Sequence, residues 1–408
     1  MLNALVRTPE RRLLIAALLV RLVPAALIFG ADDVEAWHQW GRTLLAGLNP
    51  YASKFPIAWP PLWLPVTAMA VSVSDAFHLP FHFVAKVPSI LADVIIAFLL
   101  YAVAERFGRS AQRTALAYAL NPVSIYTTGI HGNFDSFPLL CAMVAALLYA
   151  PDAEADPRGV RAGGWLGAGA AFKTWPLLIL PAMLTPSQST RRRIVITVTA
   201  VSLWVIALLL PWPFAGRSAV TAAFGYRGMA GWWGLTSLRS LLAIAPSDRT
   251  VTWIFYAAMA LAAVAVWRSR APVPTGVLFL LLTFYATSPG CAPQNFIWIV
   301  PVALIADPRR AGAFTILATA TLTFELLFRP YGGFLFDTVR MLPHAGYARA
   351  LNDPLDHTAT VVGRLPLWVF CCWWWGTTLR GMVGKWRREW DSNPRYAVNV
   401  HTLSKRAP

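Results

Sequence analysis

The sequence predicts an all-α, polytopic integral membrane protein, with about twelve transmembrane helices and interfacial helices on its extracytoplasmic side. Three observations carry that prediction. Of 408 residues, 57% are hydrophobic and only 13% charged, with mean hydropathy +0.53. An ordinary soluble domain is about 25% charged, so this chain is far short of water-compatible surface. Apolar segments recur along it, punctuated by basic clusters. Finally, it carries 19 Trp and 31 Pro, residues that membrane interfaces and membrane helices accommodate.

Orientation follows from charge. The net charge is +16, with 35 Lys+Arg against 19 Asp+Glu. On a soluble protein that excess would suggest nucleic acid; in a membrane protein it marks the cytoplasmic loops, so no nucleic-acid partner is expected. With Arg7, Arg11 and Arg12 inside, residues 12–30 exit as a retained first span rather than a cleaved signal, since Asp32-Asp33 follow with no small-residue cleavage site. Residues 31–83 then form a Trp- and Pro-rich outer loop whose segment 62–74, at about 13 residues, is too short to cross and reads as interfacial or re-entrant. Spans follow at 84–104, 114–129 and 136–150, with Arg106, Arg109, Arg113, Arg158 and Arg161 inside.

The stretch 163–186 reads two ways. One span would bury Lys173 at mid-bilayer and turn Arg191-Arg192-Arg193 outward; two short helices meeting near Lys173 keep those arginines inside. The later spans, at 194–211, 250–267, 273–288, 294–306, 311–328 and 365–380, favour two helices, because only then do Arg268, Arg270, Arg309 and Arg310 stay cytoplasmic. Both termini are then inside. The outer side receives Asp32, Asp33, Glu35 and Asp135, and with them the expected ligand-handling face. Residues 1–388 form a single membrane-embedded domain; 389–408 is polar and aperiodic, reads as disordered, and resembles the tails made when reading frames run into transfer-RNA genes.

Several residues stand out chemically. Arg21 and Asp93 lie at matching depths in the first two spans, which fits either an ion pathway or a structural pair; Glu325 is the only other acid at depth. Lys86 and Lys173 map to outer membrane edges, where an ammonium either holds a lipid phosphate or snorkels to headgroups. His38, His78, His82 and His131 face outward, and His131 gains interest from Asn133 and Asp135 in the same turn. Trp232-Trp233 and Trp373-Trp374-Trp375 read as interfacial belts, the first pair also as an acceptor contact, and Gly163-x-x-x-Gly167 reads as close helix packing. Gly167-x-Gly169-x-x-Phe172-Lys173-Thr174 lacks the glycine and the strand of a phosphate loop. Four cysteines give no disulfide framework, and nothing suggests a metal cluster.

The outer loop reads Asp33-Val-Glu35-Ala-Trp-His38-Gln-Trp40, Gly47-Leu-Asn49-Pro50-Tyr51 and Trp59-Pro60-Pro61-Leu62. It resembles the first loop of membrane-embedded GT-C glycosyltransferases of the polyprenyl-phosphate-mannose type. The resemblance continues through Lys86-x-x-Ser89-Ile-x-x-Asp93, Asn121-Pro122, His131-Gly132-Asn133-Phe134-Asp135, Phe172-Lys173-x-x-Pro176 and Ser288-Pro289…Pro293-Gln294-Asn295-x-x-Trp298, within residues 33–301. Trp59 departs from it, since tyrosine is usual there.

The resemblance implies transfer of a sugar, mannose above all, from a polyprenyl-phosphate donor to an extracytoplasmic glycan or lipid acceptor. It implies Asp33 as general base and inversion at the anomeric carbon. The doubled Asp32-Asp33 makes Asp32 the rival base. Lys86, Lys173, Arg227 and Arg239 are candidates for the phosphate, and Glu35, His38, His131, Asn133, Asp135 and Gln294 for the rest of the substrate site. No cofactor beyond the donor is expected, and without an Asp-x-Asp element a divalent metal is left open. The rival class is a multi-pass transporter or lipid flippase using the intramembrane charges, which should show broken helices paired between two halves.

Overall fold

The computed structural model describes residues 8–53, 57–148, 156–184, 188–215, 217–225, 230–242, 247–328 and 354–391. The architecture is all-α; among the described residues the only β pairing is an isolated bridge between Ala230 and Gly290. In chain order the helices are α1 (Pro9–Leu27), α2 (Asp32–Leu45), α3 (Trp63–Phe77), α4 (Phe81–Val103), α5 (Ala111–Ala119) and α6 (Pro122–Ile125). Then come α7 (Ser136–Met143), α8 (Asp156–Phe172), α9 (Leu180–Met183), α10 (Thr190–Leu209), α11 (Trp212–Ala215), α12 (Ser218–Gly225) and α13 (Gly234–Leu242). The series ends with α14 (Asp248–Ser269), α15 (Val273–Thr287), α16 (Val300–Ala306), α17 (Pro308–Phe328) and α18 (Pro354–Asp391).

Local chemistry sets these boundaries. Thr8, Ser110, Ser189 and Ser247 each accept a first-turn N–H, and Pro9 supplies a preset φ at the start of α1. Among the described residues, three helices are long and apolar enough to cross a membrane uninterrupted: Phe81–Phe107, Thr190–Leu209 and Asp248–Ser269. The remaining expected crossings coincide with shorter, polar-bearing or interrupted helices. Residues 163–186 resolve as two pieces, for α8 stops at Phe172 and a 3-10 turn, Trp175–Ile179, resumes the path after Lys173. The expected interfacial segment is α3, packed on α2. α18 runs to Asp391, three residues into the segment expected to be disordered; residues 392–408 lie outside the described residues.

The spans occupy different layers. The apolar window of α4 is 61% buried, against 22% for α10 and 17% for α14, so α4 is central while α10 and α14 present Ile194, Val198, Ile206 and Leu261 outward. The α8–α10 contact depends on absent side chains. A Cβ on Gly163 would lie 2.6 Å from the Ile196 carbonyl oxygen, and one on Gly167 would lie 2.7 Å from that of Ala200. That is the close approach the spacing predicts.

Charges at depth are paired. Arg21 Nε donates to Asp93 Oδ2 at 2.6 Å, both side chains wholly buried, as depth matching predicts. Ser124 donates to the same oxygen and Tyr118 to Oδ1, while the Arg21 guanidinium also reaches the carbonyls of Ala17 and Ala119. Arg364 grips Glu325 with two bonds, 2.6 and 3.0 Å, and donates to the carbonyls of Trp232 and Cys291. The Trp232-Trp233 pair is neither belt nor platform. Trp233 is fully buried, donating to the Tyr285 carbonyl at 2.7 Å, because this loop packs into the bundle. The Trp373–Trp375 triplet is divided in the same way. Trp374 is buried and Trp373 half exposed under the Arg310 guanidinium.

Candidate active site

Two turns meet at one end of the bundle. The first joins α1 to α2 through Gly30, whose φ of +115° only glycine adopts readily. It delivers Asp33 to the first turn of α2, where a carboxylate complements the unpaired N–H groups. The second follows a π-helix, Tyr126–His131, that extends α6; Gly132, at φ +79°, closes it and turns the chain toward Asn133 and Asp135. The turns are bonded directly, Ala31 N–H to the His131 carbonyl at 2.9 Å.

This juxtaposition builds a carboxylate site. Asn133 Nδ2 donates to Asp33 Oδ2 at 2.8 Å, and His131 Nε2 stands 3.8 Å from the same oxygen, a charge contact rather than a hydrogen bond. Oδ1 of Asp33 accepts nothing among the described residues, and the side chain keeps 30% of its surface exposed. Burial pushes its carboxyl up, but His131, Lys173 and Asn133 together outweigh that and hold it below the usual 3.8. Both ring nitrogens of His131 and the indole N–H of Trp59 are buried with no hydrogen-bond partner among the described residues. Unsatisfied groups beside a half-open carboxylate mark a place that a ligand would complete.

Lys173 enters from the break after α8. Its ammonium contacts Asp135 Oδ2 at 2.8 Å and Asn133 Oδ1 at 3.5 Å, and lies 4.8 Å from the Phe134 ring centre and 5.4 Å from that of Trp59. Asp135 is shared, for Trp298 Nε1 donates to Oδ1 at 3.0 Å. Trp298 in turn stacks on Trp175 at 4.5 Å, which ties the 3-10 segment Pro293–Ile299 to the break. Under the site, Trp63 stacks on Phe134 at 4.7 Å and Trp37 meets both edge-on, a rigid aromatic floor.

The expected site residues therefore divide. Asp33, His131, Asn133, Asp135 and Lys173 come together. Glu35 lies two residues along α2, about 200° round the helix, and stays partly exposed on the side of His38. His38 belongs to another cluster: Arg42 Nε approaches its Nε2 at 3.4 Å, Arg42 pairs with Asp75 at 2.9 Å, and burial with the Arg42 charge pushes its pKa down. Gln294 is half-buried on the Trp298 segment and takes no hydrogen bond in the carboxylate cluster. Lys86 is wholly buried with its ammonium on three backbone carbonyls, not at the open face where a phosphate would arrive. Arg227 lies outside the described residues, as do the side chains of Asp32 and Arg239.

Trp298 and Trp175 were not among the expected site residues, although Trp298 sits in a motif of the resemblance. The signal was its place in the Pro293-Gln294-Asn295-x-x-Trp298 motif, on a 3-10 segment that carries it to Asp135. An apolar cleft of about 390 Å³ opens nearby, lined by Leu44, Leu48, Tyr51, Leu62, Ala207 and Leu210. Its Tyr51 wall is tied to the site, for the Tyr51 hydroxyl donates to the Trp59 carbonyl at 3.2 Å.

Residues 75–216 match the family described as dolichyl-phosphate-mannose-protein mannosyltransferase, a stretch that carries Lys86, His131, Asn133, Asp135 and Lys173. No curated protein matches the chain. The family match supports a mannosyltransferase-like glycosyltransferase embedded in a membrane.

Proposed function

We propose that this chain moves a sugar, mannose in the first instance, from a polyprenyl-phosphate donor to a hydroxyl group of a glycan or lipid acceptor. The proposed face is extracytoplasmic and both termini are cytoplasmic. The observation that carries the reading is Asp33: an ionised carboxylate with one oxygen oriented by Asn133 at 2.8 Å and the other left open, with the Lys173 ammonium on the same asparagine.

The chemistry then balances. An acceptor oxygen attacks the anomeric carbon as the bond to the phosphate oxygen breaks, its proton passes to Asp33, and polyprenyl monophosphate leaves with the bonding pair. A positioned base of this kind contributes about 10²–10⁴-fold. Lys173 supplies the cation that the leaving phosphate requires; two of its three donors are spent on Asp135 and Asn133, which leaves one. The apolar cleft beside Trp59 suits the donor's isoprenoid chain. Arg227 and Arg239 remain candidates for further phosphate contacts. The intramembrane charges favour this reading over transport, since Asp93 and Glu325 are each locked to a buried arginine.

The test is incubation of purified protein with synthetic polyprenyl-phospho-mannose and a mannoside acceptor, scoring product and released lipid phosphate. Wild type transfers and Asp33→Asn does not. Uptake of solute by proteoliposomes with no transfer from any polyprenyl-phospho-sugar would sink the proposal.

A further inference from the structure

Lys86 is the one lysine of the expected phosphate set that the open site leaves unused, and its surroundings say what it does. It projects from the second turn of α4, wholly buried. Its Nζ donates to the Ile28 carbonyl at 2.7 Å, and to those of Gly129 and Ile130 at 3.2 Å each. An ammonium has three N–H donors, so none remains for a substrate oxygen.

The three acceptors come from two elements. Ile28 caps the C-terminus of α1, and Gly129 and Ile130 belong to the last turn of the π-helix. Both are helix ends where carbonyls lack intrahelical partners and the field favours a cation. The stem is gripped as well. A Cβ on Gly132 would fall 2.7 Å from Lys86 Cε, and one on Gly30 would fall 3.2 Å from it. Thus Gly30 packs on the stem three residues before Asp33, and Gly132 packs on it one residue before Asn133.

The geometry points to Lys86 as a positioning residue that holds the Asp33 turn against the His131–Asn133 turn, rather than as a ligand of the donor phosphate. One ammonium spans the two chain ends whose relative placement sets the Asn133–Asp33 bond. The same face of α4 continues the role below. The Ser89 carbonyl accepts from Ser136 at 2.8 Å, and Asp93 anchors Ser124, which opens the path to the π-helix. The spacing Lys86, Ser89, Asp93 is one stripe of a helix, so a single element aligns both arms.

What Lys86 does for catalysis rests on the proposed transferase reading, but its clamp can be read without turnover. In the full-length detergent-solubilised protein, carbodiimide labelling of Asp33 followed by peptide mass spectrometry gives the pH midpoint of that carboxyl. The groups facing it are His131, Asn133 and Lys173, with Asp135 beyond the lysine. Lys86→Met should move the Asp33 midpoint up by about one pH unit, as its oriented partners drift, and leave Glu35 where it was. Lys86→Arg, which keeps charge and donors, should restore most of it. An unchanged Asp33 midpoint in Lys86→Met would overturn the assignment.

Where Lys86→Met does not fold, wild type still decides. An amine-reactive probe should leave Lys86 unmodified in folded protein, with or without polyprenyl monophosphate. Modification that this lipid suppresses would make Lys86 a phosphate ligand and end the proposal. With an active donor in hand, the positioning role predicts kcat lowered about a hundredfold at unchanged donor KM, the cost of a misplaced base. A raised donor KM at retained kcat would contradict it. Absence of all transfer would refute the transferase reading while the two labelling experiments still judged the clamp.

Discussion

Asp33 and Asp93 are both aspartates held by a basic side chain and a neutral donor, within one bundle and joined through α4 and the π-helix. Asp93 has both oxygens occupied, by Arg21, Ser124 and Tyr118, and no exposed surface. Asp33 has one oxygen bonded to Asn133, a histidine at charge-contact distance and the other oxygen open. A satisfied buried acid gives the bundle its geometry and can do little else; an acid left one partner short can accept a proton. Residue type and charge do not separate the two. Completeness of the shell does.

The largest way to break that comparison is to exchange the two roles. Asp33→Asn should keep the fold and lose about 10²–10⁴-fold in kcat, with Asp32→Asn close to wild type; sugar-transfer rates on the purified variants check both. If Asp32→Asn were the dead variant, the assignment of the base would move by one residue. Asp93→Ala should instead unfold the protein, because the buried Arg21 would lose its counter-charge at a cost of about 3–5 kcal/mol. Thermal unfolding in detergent measures it, and a stable but inactive Asp93→Ala would mean that the closed cluster is a site after all.

Smaller effects sharpen the contrast. Lys173→Met should lower transfer about a hundredfold, through lost stabilisation of the leaving phosphate, with less effect on folding than Asp93→Ala. Asn133→Ala should move the acid limb of the kcat/KM profile upward. In wild type the Asp33 carboxyl lies below its ordinary 3.8, so activity persists as pH falls until the medium passes that depressed value. The same group contributes stability that is present above 3.8 and lost as pH drops through its folded-state pKa. Removing a donor to the carboxylate raises the value, so activity should fail at a higher pH. Trp373→Ala, half exposed beneath Arg310, should change stability by no more than about 0.5 kcal/mol.

Much of this was legible in residues whose constraint is one-dimensional. Arg21 and Asp93 lie at matching distances from their span ends, and depth survives folding. The break at Lys173 was legible through charge, since only two short helices there keep Arg268, Arg270, Arg309 and Arg310 on the side of the first basic cluster. The meeting of Asp33 with His131 and Asn133 was anticipated only through the resemblance, since 100 residues separate Asp33 from Asn133. What stayed illegible is rotational. Depth placed Lys86 at a membrane edge but not the direction its side chain takes round α4, and that direction decides between lipid phosphate and backbone carbonyls. Arg364 was missed as the partner of Glu325 because it stands one residue before an expected span, whereas α18 begins ten residues earlier, at Pro354. Trp232-Trp233 was misplaced because loop length does not say whether a loop lies on the bundle or enters it.

The π-helix at Tyr126–His131 carries a consequence for insertions and deletions. A π turn accommodates one more residue than an α turn over the same rise, so the chain before Gly132 holds a residue that an ordinary helix would not. Deleting one residue between Tyr126 and Ile130 would let the segment relax to α geometry with the direction of the chain after it nearly unchanged, whereas one more residue, beyond what the π turn absorbs, would swing the His131–Asn133 turn by about 100° round the axis. Asp33 would then face backbone instead of an amide and an imidazole. Single-codon insertions are therefore poorly tolerated there, while a deletion acts first on the Gly129 and Ile130 carbonyls that accept from Lys86.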